Sequence, residues 1–347
     1  MERVLVCIIA STRGHQSSFK SFKRHVLDEL NGDLALALAI DENYDYENCL
    51  WQHAKYRWTA PTFRNDYGEA YDLVQRWLCQ QRNIPPPDWR SMLRIKGPWQ
   101  GGIRSKEPQP SASALLPFCR WLLLRGLQQD HILDRYDRFV ITRSDFVWLC
   151  PHPPLSILDR REIWVPNGED WGGLNDRHLV ASRADVENCL NLIEDVLLRP
   201  FELYDELKHK SSLNEEQLVA HHLDRYGLLD KVKRFPYVMY LARDVNDDSA
   251  TWSWGHYEGA VGHYVKYEKE FRAAKAYETI IRCRADWEDG AWMQFDPTSV
   301  TTKPISLPFR LRYACERAYY KILSAFRRPG RIRRFVQFCT RMHWTQL

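Results

Sequence analysis

The sequence contains no apolar run of the roughly 18 residues that a membrane-spanning helix needs, so we expect no such helix. Its nine cysteines are never closer together than 24 residues, which excludes the paired cysteines of a structural zinc site. With only 16 glycines and 18 prolines among 347 residues, the chain is neither collagen-like nor of low complexity. An odd, unclustered set of cysteines is typical of reduced thiols, so we expect a cytoplasmic protein.

Several motifs with well-understood chemistry are also missing. The sequence has no glycine-rich dinucleotide or phosphate loop, no nucleophile elbow of the GxSxG type and no HExxH zinc motif. Asp244 to Asp248 resembles the start of a calcium-binding loop, but Ser249 stands where that loop needs glycine and Gly255 where it needs glutamate. These absences exclude the commonest nucleotide-binding, hydrolase and calcium-binding classes.

The residues that are present predict a globular protein with a distinct C-terminal segment. Hydrophobic residues make up 44% of the chain and charged residues 27%, and the net charge is only +4. Residues 303–347, however, contain eleven Lys or Arg and a single acid, Glu316. We therefore predict one large domain over residues 1–302 and a basic amphipathic helical tail over 303–347.

The order of the predicted elements favours an α/β fold. Residues 3–10 form an apolar run that is too short for a signal peptide and is better explained as a buried strand. A helix over about 17–30 ends at Asn31-Gly32, and a second apolar strand ends at Asp41, which predicts a parallel pair. The later patterns predict helices over 66–82, 111–129, 184–198 and 215–226, and strands over 138–149, 163–166 and 235–241.

The strongest local motif lies in the strand predicted over 138–149. A hydrophobic run there ends in Arg143 and Asp145 before aromatic residues resume. Because ligands of open α/β sheets bind at the carboxyl ends of strands, Asp145 is a candidate for holding a divalent ion or a ribose hydroxyl. Arg143 is a candidate for clamping a diphosphate. The alternative is a purely structural ion pair between the two.

A second motif is the polar loop that follows the strand 163–166. It contains Glu169, Asp170, Asn175 and Asp176, together with the pair Gly172-Gly173. Carboxylates and amides of this kind hydrogen-bond sugar hydroxyls, and an aspartate here is a candidate general base. The alternative is a polar turn that caps a helix.

A third motif is the start of the helix predicted over 215–226. Ser or Asn caps this helix, and acids fill its first turn, as the helix dipole favours. His221 and His222 are adjacent and point in different directions, so they are a poor pair of metal ligands.

In this order, the motifs resemble those of bacterial and viral glycosyltransferases of the GT-A superfamily, especially the WavE-type enzymes of lipopolysaccharide and capsule synthesis. The resemblance covers roughly residues 1–245. It rests on a first strand with an Arg-containing loop, a YD-x-hydrophobic-R-x-D strand, a Gly-x-x-Asp loop and a helix that begins with an Asn-Glu pair. The matching residues are Arg13, Tyr136, Asp137, Arg143, Asp145, Asp176, Asn214, Glu215 and Leu218.

The resemblance implies a nucleotide-sugar-binding mixed sheet flanked by helices, a nucleotide-sugar donor and a glycan or lipid-linked acceptor. It implies three sets of site residues. The donor and its phosphates are assigned to Arg13, Asp41, Arg143 and Asp145. The catalytic acids are Asp176, Asp170 and Glu169. A Mn²⁺ or Mg²⁺ ion is assigned to Asp145 as the one remaining acid, because Arg143 replaces the first acid of the usual Asp-x-Asp motif. Apart from the resemblance, His256 and His263 in the segment 252–267 are candidates for a distal metal or phosphate ligand.

Two other functions compete with glycosyl transfer. One is a catalytically inactive module of the same fold that binds sugar or nucleotide, and the other is a nucleic-acid-binding protein that uses the basic tail. No nucleic acid is expected as a partner, because residues outside the tail are mildly acidic and carry no known binding motif. In the tail, apolar faces lie beside dense positive charge, which predicts peripheral attachment to an anionic membrane. The alternative is that these helices pack onto the catalytic domain.

Overall fold

The computed structural model describes residues 2–63, 66–104, 112–243, 256–259 and 261–297. Its strands are β1 (Val4–Ala10), β2 (Asp33–Ile40), β3 (Tyr56–Pro61), β4 (Arg138–Thr142), β5 (Phe146–Trp148), β6 (Ile163–Pro166), β7 (Leu179–Ser182), β8 (Val232–Phe235), β9 (Met239–Arg243), β10 (His256–Glu258) and β11 (His263–Val265). Its α-helices are α1 (His15–Phe22), α2 (Asp28–Leu30), α3 (Cys49–His53), α4 (Tyr67–Arg82), α5 (Leu115–Gln129), α6 (Val186–Leu190), α7 (Leu192–Leu198), α8 (Pro200–Leu207), α9 (Glu215–Arg225), α10 (Glu268–Tyr277) and α11 (Arg284–Glu288).

Seven of the described strands form one mixed sheet, in the order β3-β2-β1-β4-β7-β6-β8. The first four are parallel, whereas β7 runs antiparallel to both β4 and β6. Residues 4–9 of β1 are buried, as a central strand covered on both faces requires. Separate apolar clusters pack on the two faces of this sheet. The predicted α/β class, with a mixed sheet flanked by helices, is therefore confirmed.

The predicted β-loop-α-β opening is present. The helical stretch runs from His15 to Leu30, with a π-helical segment at residues 23–27 between α1 and α2. It ends where Asn31 adopts a left-handed conformation with φ of 48°. Strand β2 begins two residues later and pairs in parallel with β1.

The strand predicted over 138–149 is wrong as a single element. The chain leaves the large sheet after Thr142 and resumes as β5, which pairs with β9 in a small antiparallel sheet of order β10-β11-β9-β5. Ser144 and Asp145 form the crossing between the two sheets. Both halves are apolar and buried, so the sequence pattern alone does not reveal the break.

Other boundaries differ for local reasons. The helix predicted over 184–198 is divided between α6 and α7 at Asn191, and Pro236 separates β8 and β9 within the strand predicted over 235–241. Strand β3 was not predicted; it is an edge strand whose side chains alternate between half-buried and exposed. Strand β7, which follows the predicted polar loop, was also missed.

Residues 303–347 lie outside the described part of the chain, so the tail and the domain boundary at residue 302 stay predictions. Within the described ranges, no helix combines the length and the apolar character needed to cross a membrane. The seven cysteines in those ranges are all free thiols.

Candidate functional site

The candidate site begins where the neighbouring strands β1 and β4 end. Ile8 pairs with Thr142, so the loops that follow the two strands emerge at the same edge of the sheet. The Ser144 hydroxyl donates to the Arg13 carbonyl over 2.7 Å and joins these loops. Gly14 has φ of +74°, and a Cβ atom there would lie 2.9 Å from the Asp145 Cβ. Glycine at this position therefore allows the first loop to pack directly against Asp145.

Asp145 is the centre of a cluster of arginines. Its side chain is 2% exposed and accepts two hydrogen bonds from Arg143, 2.9 Å from Nε and 3.0 Å from Nη2. Arg243, at the end of β9, also donates to the Asp145 carboxylate, and Arg13 Nη2 lies 3.5 Å from it. Burial alone would raise the pKa of Asp145, but the charges of Arg143, Arg243 and Arg13 hold it well below its usual range. We call these four side chains the Asp145 cluster.

The residues around Asp145 do not fit the divalent ion that the family resemblance implies. Three guanidinium groups occupy the carboxylate, and their positive charges oppose a cation. His263 hydrogen-bonds Tyr240 over 2.8 Å, and His256 pairs with Glu268 over 2.5 Å. Among the residues that the structure describes, no three His, Cys, Asp or Glu side chains are grouped to hold a metal ion.

Two further basic side chains, Lys266 and Arg177, lie near the Asp145 cluster. Burial, together with the charges of Arg243, Arg143 and Arg177, lowers the pKa of Lys266 to about 6. Arg177 is 7% exposed, its Nη1 lies 2.5 Å from Glu270 Oε1, and its guanidinium carbon lies 4.6 Å from the centre of the Tyr267 ring. The site therefore concentrates positive charge, which is the property needed to bind a multiply charged anion.

Asp170 organises the polar loop between β6 and β7. Its Oδ1 accepts a hydrogen bond from the Asn175 backbone N–H over 2.9 Å and one from Arg234 Nη1 over 2.7 Å. The Asn175 side chain in turn donates to the Gly168 carbonyl over 2.8 Å. These bonds fix the loop that carries Glu169 and Asp176, so Asp170 stabilises the conformation of this loop.

Asp176 lies beside the first turn of α9. Its Oδ1 is 4.0 Å from Arg177 Nε, and it interacts electrostatically with Arg143 and Glu216. The loop contacts α9 closely: the Leu174 N–H donates to the Glu216 carbonyl over 2.9 Å. Burial, reinforced by the negative charge of Asp176, raises the pKa of Glu216. A carboxyl group with a raised pKa next to a second carboxyl group suits proton transfer.

The structure therefore brings Arg13, Arg143 and Asp145 together, with Asp176 close to Arg143. Glu169 belongs to the same region, since its charge acts on Glu216 and Glu270.

No contact with the Asp145 cluster is shown for three other candidates, Asp41, His256 and His263. Asp41 follows β2, one strand away from β1, and accepts from the Asn43 N–H over 3.1 Å in a local turn. His256 pairs with Glu268 at the start of α10, and His263 pairs with Tyr240 of β9.

Arg243, Lys266 and Glu216 were missed by the sequence analysis. Arg243 is 98 residues from Asp145 in the chain, and no spacing pattern links the two. Glu216 had a sufficient local explanation as a first-turn acid of a capped helix.

Comparisons with known proteins do not identify a family for this chain. No protein-family model and no curated protein matches the chain. Among solved structures, it is similar to mouse xyloside xylosyltransferase 1 in its apo form, with a TM-score of 0.35 and 9% sequence identity over 69% of this chain and 86% of that one. A likeness of this size supports no functional conclusion, and the α/β fold class rests on the strand order of this chain.

Proposed function

We propose that the protein is a GT-A-type glycosyltransferase that moves a sugar from a nucleotide-diphosphate sugar to a glycan or lipid-linked acceptor. The observation that carries this proposal is the convergence of Arg13, Arg143 and Arg243 on buried Asp145 at the carboxyl ends of β1 and β4. Ligands of open α/β sheets bind at such an edge. The resemblance of the sequence to WavE-type enzymes of lipopolysaccharide and capsule synthesis supports the same function.

In this proposal the cations stabilise the leaving diphosphate. When the bond between the anomeric carbon and the diphosphate breaks, negative charge develops on the leaving oxygen, and preorganised cations lower the barrier. Asp145 holds Arg143 and Arg243 in place before the donor binds. Arg13 is the accessible member of the cluster, since 47% of its side chain is exposed. Planar guanidinium groups match phosphate oxygens through pairs of hydrogen bonds.

The acids of the polar loop and of α9 supply the acceptor side of the proposed reaction. In an inverting reaction, the pair formed by Asp176 and Glu216 accepts the proton of the acceptor hydroxyl as it attacks. The raised pKa of Glu216 suits a base that works near neutral pH. In a retaining reaction no base is needed, and Asp176 instead binds hydroxyls of the donor sugar. No step is assigned to a metal ion, because the arginines occupy Asp145.

The test is a panel of UDP- and GDP-sugars incubated with the full-length protein, with and without EDTA. We expect slow hydrolysis of one donor, and we expect Arg13→Met to lower that rate by about 100-fold or more. Because Arg13 is half exposed, this variant should keep the wild-type melting temperature. The matched control is Arg161→Met, which removes an exposed arginine that pairs with Asp159.

Each outcome of this panel separates the competing functions. Donor hydrolysis that depends on Arg13 supports the transferase. A donor-dependent rise in melting temperature without turnover indicates the inactive binding module instead. No response to any donor in either assay overturns the proposal.

A further inference from the structure

A cavity lies at the edge of the large sheet opposite the Asp145 cluster. Its volume is about 640 Å³, within the range of small-molecule sites. Val4 and Arg138, the first residues of β1 and β4, pair with each other and line it. The end of α2, the segment 155–160, Glu2 and Arg284 complete its wall. The cavity and the Asp145 cluster are therefore separate sites at opposite ends of the same two strands.

Arg138 is the unusual residue of this cavity. It is 1% exposed, and its Nη1 donates to the Leu158 carbonyl over 2.9 Å. Its Nε and Nη2 atoms are buried and have no hydrogen-bond partner. Buried guanidinium groups are normally paired, because an unpaired charge away from water is strongly unfavourable.

Nearby acids do not compensate Arg138. Asp159 lies 2.6 Å from Arg161, and Glu29 lies 3.9 Å from Arg284. Of the carboxylates that the structure describes, none lies within ion-pair distance of Arg138; Glu2 and Asp159 act on it only at longer range. Burial accordingly lowers the pKa of Arg138. One charge at this edge of the sheet is left without a counter-charge in contact.

The two unpartnered atoms define the chemistry that would complete the site. Nε–H and one N–H of Nη2 lie side by side on one edge of a guanidinium plane. This edge matches two oxygens of a carboxylate or a phosphate through parallel charge-assisted hydrogen bonds. The acids around the cavity, Glu2 and Glu29 among them, suit hydroxyl or amino donors on the remainder of such a ligand.

We propose that this cavity binds a small polar molecule whose carboxylate or phosphate group is held by the Nε–Nη2 edge of Arg138, which is buried in the unliganded structure and becomes accessible when neighbouring side chains move on binding. The site is distinct from the proposed transfer site and does not depend on it. The bound oxyanion supplies the missing counter-charge, and the cavity has room for a molecule much larger than the anionic group alone.

The experiment titrates the full-length protein with inorganic phosphate and, separately, with acetate at constant ionic strength, following melting temperature and heat of binding. Phosphate also has a target in the Asp145 cluster, so Arg13→Met is measured in parallel to identify that part of the response. Arg138→Met should remove the remaining part. Arg160→Met is the matched control, because it removes one positive charge from the exposed rim of the same cavity.

We expect Arg138→Met to fold, with a melting temperature equal to or above that of the wild type, since replacing a buried, unpaired charge by an apolar side chain is often neutral or stabilising. Its affinity for the oxyanion should fall by about 10-fold or more, as the loss of two charge-assisted hydrogen bonds predicts. Arg138→Lys keeps the charge but lacks the paired donors, so it should also bind more weakly than the wild type.

The proposal is overturned if the wild type shows no oxyanion binding beyond the part that Arg13→Met removes. It is also overturned if Arg138→Met retains that binding, or if Arg160→Met loses as much of it as Arg138→Met does. A response to phosphate alone supports the proposal and assigns the ligand to phosphate esters, and a response to acetate alone supports it and assigns the ligand to carboxylates.

Discussion

Replacing Asp145 by asparagine tests the most specific feature of the Asp145 cluster. The change keeps the shape of the side chain but removes the charge that faces Arg143 and Arg243. Asp145 is 2% exposed and the Arg243 side chain 6%, so water cannot compensate for the loss. Removing one partner of a buried ion pair typically costs about 3–5 kcal/mol, and we expect the free energy of unfolding to fall by that amount.

The pH dependence of this difference can be worked out from the pKa of Asp145. The arginines hold that pKa well below the value of about 3.9 expected for an unfolded aspartate. The contribution of the carboxylate is therefore complete above the unfolded pKa and is lost as the pH falls below it. The difference in stability between wild type and Asp145→Asn should be constant from about pH 5 to pH 8 and should shrink below about pH 4.

Urea unfolding followed by circular dichroism measures both effects. The control is Asp28→Asn, because Asp28 and its partner Lys23 are 56% and 41% exposed. Such an exposed pair contributes less than about 1 kcal/mol. Equal losses in the two variants would refute the reasoning. A rise in melting temperature with Mn²⁺ that the wild type shows and Asp145→Asn lacks would also refute it, since Asp145 would then be a metal ligand.

Three further predictions concern other parts of the chain. A bound diphosphate should raise the low pKa of Lys266, so the affinity for a nucleoside diphosphate should fall as the pH rises from 6 to 8. Calorimetry should show a weaker pH dependence of this affinity in Lys266→Met. Gly173→Ala places a Cβ atom 2.1 Å from the Glu216 carbonyl oxygen, so urea unfolding should show that the free energy of unfolding falls by about 1–3 kcal/mol. The control is Gly259→Ala, whose Cβ atom meets no atom within 4 Å and which should not show this loss. A protein that ends at Ser306 should no longer co-sediment with anionic vesicles at low salt, whereas the full-length protein should. Equal binding by the two proteins, or failure of the shorter one to fold, would contradict membrane attachment through the tail.

The candidate site was predictable only where a local spacing or the family resemblance marks its residues, as the resemblance does for Arg13. Arg143 and Asp145 stand two positions apart at the end of an apolar strand, and their pairing follows from that spacing. Arg243 and Lys266 reach the site through tertiary contacts of the small sheet, which have no local signal. Asp170 has the residue type of a general base, but its carboxylate is used by two donors that only the folded loop supplies.

The same limit applies to the fold. The β1-α-β2 opening was predictable, because a buried apolar run, a helix stop at Asn31 and a second apolar run are local features. Whether an apolar run continues in one sheet or passes into another depends on its partners. The run from Arg138 to Trp148 crosses between sheets at Asp145, and that became visible only from the pairing of β5 with β9.

The division of the Asp145 cluster between two sheets determines when it can form during folding. Arg13, Arg143 and Asp145 belong to the first 145 residues, whereas Arg243 is contributed 98 residues after Asp145. On a growing chain, that arginine is absent until β9 has been synthesised and has paired with β5. Completion of the cluster is thus a late, long-range event that closes a loop of about 100 residues, and the preceding intermediate carries Asp145 with incomplete charge compensation.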